Sequence, residues 1–197
     1  MSQVLVQLRR AAALEFLNTL AARRALAILA FALLAAVSAR FSMPLPGTAV
    51  PVSLQTLVVM LSGLLLGPAV GASAMTVYLL AGAAGLPVFV AGMGVPYLFG
   101  PTGGYLLAFP AAAAVGGAVA VYAGSGTVAR VVVFGIAAAL SSAVVFAGGW
   151  AQLSVMTGDP ATAFRLGVLP FLLGDTIKVV VAVLLAMRLR RRTLSLL

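Results

Sequence analysis

The chain has 197 residues, 63% of them apolar, with 12 basic and 3 acidic side chains and a formal net charge of +9. Such an excess of apolar residues places it in the membrane class, as one compact domain. It has no Cys and no His, which excludes disulfides, thiolate metal sites, His-ligated metals and the commonest general base. In a soluble protein the charge would point to nucleic acid. Here the Arg residues flank apolar runs, as orientation in a membrane requires, and offer no contiguous basic surface.

Residues 1–22 form an N-terminal segment with Arg9, Arg10 and Glu15 among short apolar clusters and no clean helical period. Arg23 and Arg24 then introduce the apolar run ALAILAFALLAAVSA, closed by Arg40. That run makes about 22 Å of helix, enough to span if the Arg side chains snorkel and the bilayer thins. A secretory signal with Val37 and Ala39 as its small-residue cleavage site is the rival reading, and the multispanning remainder speaks against it. Small residues recur at four-residue spacing in this helix: Ala21 and Ala25, Ala32 and Ala36, Ala35 and Ala39. They reflect either the abundance of Ala or a docking face for another membrane subunit.

From Phe41 to Ala129 there is no charged residue, and that run alone can hold three crossings of ~20 residues each. Residues 41–52, FSMPLPGTAVPV, read as a Pro-rich loop. Helices are predicted from about Ser53 to Leu66, ended by Gly67-Pro68, from Ala69 to Ala84, from Gly104 to Ala123, and from Val128 to Trp150. Residues 151–167 read as a loop, and a sixth helix covers Val168 to Met187. The expected organisation is therefore a six-helix membrane domain over residues 23–187 and a basic tail over 188–197. Six crossings put both termini on one side. With the termini inside, only Arg40 and Arg165 face outward, while Arg9, Arg10, Arg23, Arg24, Arg130 and the C-terminal Arg residues stay cytoplasmic.

The stretch 78–105, YLLAGAAGLPVFVAGMGVPYLFGPTGGY, is uncharged yet too broken by Gly and Pro for one helix. Irregular backbone at membrane depth must satisfy its polar groups inside the protein or beside a cavity, so this stretch is expected to wall a pocket on the outer side. Tyr78, Phe89, Tyr97 and Tyr105 are candidates for its lining, with an interfacial aromatic belt as the alternative. Trp150, with Gln152, carries the same two readings.

Asp175 and Lys178 are the sharpest polar signal. They stand one turn apart on the sixth helix, where each costs roughly 2.5–3.5 kcal/mol at the centre of a lone helix. A mutual i, i+3 ion pair is the structural alternative to a ligand site. Gln55 and Thr56, at the outer end of the second helix, offer uncharged polar contacts. No G-x-x-x-x-G-K-[ST] and no His-based catalytic motif occurs, so neither P-loop ATP hydrolysis nor Ser–His or H-E-x-x-H chemistry is expected. No catalytic residue and no metal ligand is assigned.

At these residues the chain resembles the BioY family, the biotin-specific S components of energy-coupling-factor (ECF) vitamin transporters. PVSLQT at 51–56, YLLAGAAGLPVF at 78–89, GPTGGYLLAF at 100–109 and GDTIK at 174–178 carry the resemblance, in order along the chain. It implies an all-α S-component fold with six transmembrane helices, in a bacterial inner membrane, with both termini cytoplasmic. It implies an outward-facing pocket for biotin as transported ligand, with no cofactor, and adds Thr102 and Gly103 to the binding set. It also implies a transmembrane coupling subunit docked on the Ala-spaced first helix and ABC-type ATPase subunits that supply the energy. An S component for another vitamin, a stand-alone secondary carrier and a ligand-free scaffold are the competing readings.

Overall fold

The computed structural model describes residues 19–90 and 92–197. The expected N-terminal segment lies outside them up to residue 18. Helix α1, Leu20–Arg40, starts where the Thr19 hydroxyl accepts from the Ala22 N–H at 3.2 Å. Two short strands follow, β1 (Ser42–Met43) and β2 (Val52–Ser53), paired antiparallel with Ser42 opposite Ser53. The prolines between them keep the connection out of helix.

Helix α2 (Gln55–Leu66) and α3 (Pro68–Ala83) are joined by the single residue Gly67 at φ +83°, with Pro68 opening α3. Only Gly adopts that φ freely, and Pro is pre-set for a first helical position. An irregular segment then runs to Thr102, broken by one 3-10 turn at Val95–Phe99. Helix α4 (Gly103–Ala120), α5 (Thr127–Thr157), the short α6 (Pro160–Gly167) and α7 (Leu172–Leu194) complete the chain.

Three boundaries differ from expectation. Helix α5 does not stop at Trp150 but runs for 31 residues, about 46 Å at 1.5 Å per residue. Nothing between Trp150 and Thr157 breaks a helix; Gly158, left-handed at φ +70°, does. Residues 151–167 are therefore mostly helical. Asp159 caps α6 by accepting from the N–H groups of Ala161 (3.1 Å) and Thr162 (2.9 Å). The Thr162 hydroxyl, with these N–H groups, holds the Asp159 carboxyl below its usual range. Next, the last helix starts at Leu172 rather than Val168, after a 3-10 turn at Leu169–Phe171. Finally, the C-terminal Arg residues do not form a separate tail, because α7 continues through Leu194.

The spans Leu20–Arg40, Gly103–Ala120, Thr127–Thr157 and Pro160–Leu194 are long and apolar enough to cross a membrane; α2 and α3, of 12 and 16 residues, are apolar but shorter. The Arg24 side chain donates to the Leu197 carbonyl at 3.3 Å, so the start of α1 and the end of the chain share one end of the bundle. Helices α4 and α5 cross closely. A Cβ on Gly104 would lie 2.2 Å from the Gly148 carbonyl oxygen, and one on Gly148 would lie 2.6 Å from that of Gly104.

Most of the small-residue stripe of α1 is not a free face. Ala32, Ala35 and Ala39 are buried inside the chain and Ala36 is half-buried, as α1 packs on α2 and α3. Small side chains are what let those helices approach. What α1 exposes is Leu26, Leu29, Leu33, Leu34 and Val37, together with Ala21 and Ala25.

Replacing Gly148 by Leu must push α5 off α4, an overpacking worth about 1–3 kcal/mol. The detergent-solubilised variant is expected to unfold several degrees below the wild type in a thermal scan. An unchanged midpoint would contradict the close crossing.

Candidate functional site

Between the helix ends opposite Leu197 lies a cavity of about 60 Å³. Asp175 and Lys178 of α7 supply its charged side; Gln55 and Thr56 from the start of α2, with Ser53, supply uncharged polar groups. Tyr97, Tyr105, Phe109, Phe146 and Phe171 make the apolar walls.

Asp175 and Lys178 reach to different helices rather than closing on each other. Asp175 is 5% exposed; its Oδ2 accepts from the Ser142 hydroxyl of α5, and its Oδ1 is buried with no partner. The Lys178 ammonium donates to the Thr56 hydroxyl at 2.8 Å. An i, i+3 pair bonded only to itself would be complete. This arrangement leaves an unused carboxylate oxygen in an apolar bundle, a state that costs free energy until a donor arrives.

The remaining polar groups hold the walls. Gln55, 3% exposed, donates to the Tyr78 hydroxyl at 2.5 Å, and Tyr78 donates to the Val88 carbonyl at 3.2 Å. Tyr105 donates to the Gly167 carbonyl at 2.7 Å, tying α4 to the end of α6. Phe89 lies edge-on to Tyr78 (centroids 5.7 Å, 75°) and stacks on Tyr97 (5.4 Å, 19°). Gly82 makes room for it, since a Cβ there would fall 2.1 Å from the Phe89 ring. The irregular segment is thus plugged into the bundle by Phe89 and presents Tyr97 to the cavity.

Its backbone is satisfied from three helices. Arg40 of α1 donates to the Pro87 carbonyl, Tyr78 of α3 to that of Val88, and Gln152 of α5 to those of Leu98 (3.0 Å) and Gly100 (2.6 Å). This is how uncharged irregular backbone is tolerated beside apolar helices.

Of the residues expected in the site, Asp175, Lys178, Gln55, Tyr97, Thr102 and Tyr105 line the cavity. Tyr78 and Phe89 are buried behind that lining and support it. Gly103 is also behind it, packed against the Leu98 carbonyl and Gln152. Trp150 is not in the site. It is 40% exposed, lies on an apolar lateral groove with Phe164 and Leu172, and donates to the Pro160 carbonyl at 3.0 Å.

Sequence reasoning missed Ser142, Phe109, Phe146 and Phe171. Phe109 closes the quoted GPTGGYLLAF, so its signal was present. Ser142 sits in a Ser-Ser pair within an apolar helix, and an intramembrane hydroxyl needs a partner. Phe146 and Phe171 carried no local signal.

Fold and cavity together define an α-helical membrane-type bundle with a small, mostly apolar cavity at one end that has one charged side. Residues 9–195 match the profile of the BioY family. The chain is similar to a probable biotin transporter BioY of Pyrococcus horikoshii, 39% identical over 146 residues that cover 73% of this chain and 83% of that protein. It is likewise similar to the biotin transporter BioY of Thermotoga maritima, 39% identical over 162 residues, covering 82% and 92%. This chain belongs to the BioY family. Its fold is similar to that in a 2.1 Å crystal structure of the S-component for biotin from an ECF-type ABC transporter, with a TM-score of 0.76 at 24% identity over 85% of this chain and 90% of that one.

Gln152→Ala removes two donors from the irregular segment. Amide hydrogen exchange across residues 97–103 is expected to speed up about five- to tenfold, the equivalent of roughly one net hydrogen bond. Unaltered exchange there would show that Gln152 does not hold the segment.

Proposed function

We propose that this chain is the biotin-binding S component of an ECF transporter, crossing a bacterial inner membrane six times with both termini in the cytoplasm. The reading is carried by Asp175, a buried carboxylate that lines an aromatic-walled cavity with one oxygen unpaired. Biotin supplies what that oxygen lacks. Its ureido ring has two N–H donors and one carbonyl acceptor, its thiophane ring is apolar, and its valerate ends in a carboxylate.

The ureido N–H groups would donate to Asp175, with Ser142 holding the carboxylate in place. Tyr97, Phe109, Phe146 and Phe171 would cover the thiophane ring. Lys178 would donate either to the ureido oxygen or to the valerate carboxylate. The cavity of about 60 Å³ is well below the ~300 Å³ at which small-ligand pockets begin, so binding requires the segment bearing Phe89 and Tyr97 to swing outward.

The distribution of Arg supports the orientation. Among the described residues, Arg23, Arg24, Arg130 and the Arg residues of α7 lie at the end of the bundle away from the pocket, and only Arg40 and Arg165 lie near it. A transmembrane coupling protein and ABC-type ATPases would supply the energy, since this chain has no nucleotide-binding motif. The exposed side of α1, with Ala21, Ala25 and its leucines, is the surface left for that partner.

Biotin titrated into purified protein should bind with sub-micromolar affinity; no binding of biotin or desthiobiotin at that level would overturn the assignment. Asp175→Asn should weaken binding about 10- to 150-fold, the loss of hydrogen bonds to a charged group, while the protein still inserts. Equal affinity for variant and wild type would remove Asp175 from the site. Lys178→Met separates the two roles of the ammonium. If Lys178 pairs with the valerate, the variant should lose affinity for biotin but not for uncharged biotinamide. If it serves the ureido oxygen, both ligands should weaken alike.

A further inference from the structure

A second pocket, of about 250 Å³, lies at the opposite end of the bundle, between the α4–α5 connection and the last turns of α7. Arg130, Arg190 and Arg191 all line it, and no carboxylate does. The chain's three acidic residues are elsewhere: Asp175 is in the cavity already described, Asp159 caps α6 at that same far end, and Glu15 is outside the described residues.

The guanidiniums are held by neutral groups. Arg190 is 8% exposed, donates to the Leu64 carbonyl and lies 5.6 Å above the Phe134 ring. Arg130 donates to the carbonyls of Gly124 (3.1 Å) and Ser125 (2.6 Å). These partners fix direction without cancelling charge, so like charges converge on one space. A further source of positive potential is the N-terminus of α5, which starts at Thr127 with no side-chain cap. Partly buried arginines near a helix N-terminus favour a tetrahedral oxyanion, because guanidinium forks match its oxygens and the helix dipole adds positive potential.

We propose that this pocket binds a phosphate-bearing anion. Its lining also includes Ala186, Met187 and Leu194, and Val128, Val131 and Val132 are exposed on the adjoining turns of α5. That apolar rim suits the headgroup of an anionic phospholipid whose chains run down the outside of α5; free phosphate shares the recognition chemistry. Arg130 and Arg191 touch nothing in the other cavity, so the two sites are separable.

Native mass spectrometry of protein exchanged with equal dioleoylphosphatidylglycerol and dioleoylphosphatidylcholine is the direct test. The wild type should retain the glycerol lipid in preference, and R130Q/R191Q should lose that preference by about tenfold with biotin affinity unchanged. Arg191 is exposed, so R191Q alone keeps the test available should the double variant misfold, with a smaller loss expected. In parallel, inorganic phosphate is titrated into protein in phosphatidylcholine nanodiscs while the thermal midpoint is followed. A saturable rise absent from R130Q/R191Q, without lipid preference, assigns the site to free phosphate and upholds it. Equal retention of both lipids with no phosphate effect, or a preference undiminished in the variants, overturns the proposal.

Discussion

Everything at the pocket end of this protein depends on how an uncharged, Gly- and Pro-broken segment satisfies its backbone beside apolar helices. Beside apolar helices each unpaired carbonyl or N–H costs free energy. The solution is to bring donors from outside the segment: Arg40, Tyr78 and Gln152, each from a different helix. The segment is therefore as well placed as the helices that hold it. It is also detachable, because a few side-chain hydrogen bonds and one inserted ring fasten it, not a regular ladder.

The same donors link the segment to the ligand site. Tyr78 donates to the segment and accepts from Gln55, which lines the cavity. Phe89 stacks on Tyr97, which lines it too. A ligand that displaces Tyr97 must disturb Phe89 and, through it, the Tyr78 contact. On the proposed reading, binding and movement of the wall would be one event, with α2 and α7 supplying the other side of the cavity. The two charged residues of α7 stay apart because Ser142 and Thr56 each take one of them, and one carboxylate oxygen of Asp175 is left without a partner.

Much of this was legible in the amino-acid order. The helices announced themselves through apolar runs bounded by Arg, Gly and Pro, and Gly67-Pro68 marked its turn correctly. The end of α5 was misplaced because the apolar run fades after Trp150 while the helix goes on. Gly158-Asp159-Pro160 was the true stop. The Ala stripe of α1 is a close-packing surface that turns Ala32, Ala35 and Ala39 onto the bundle and leaves Ala21 and Ala25 exposed, since spacing says that a face is small and not what covers it.

By itself the sequence determined the class of environment, the approximate helices, the family motifs and the residues whose chemistry demands a partner, above all Asp175 and Lys178. Those follow from local composition and from the cost of burying charge, which need no knowledge of neighbours. Only the tertiary structure decided which partner each one takes. Ser142 lies 33 positions from Asp175 and Thr56 lies 122 from Lys178, and the three arginines of the far pocket come from two helices. Separations of that kind are bridged by helix packing, set here by close crossings such as Gly104 on Gly148, and no local pattern encodes them.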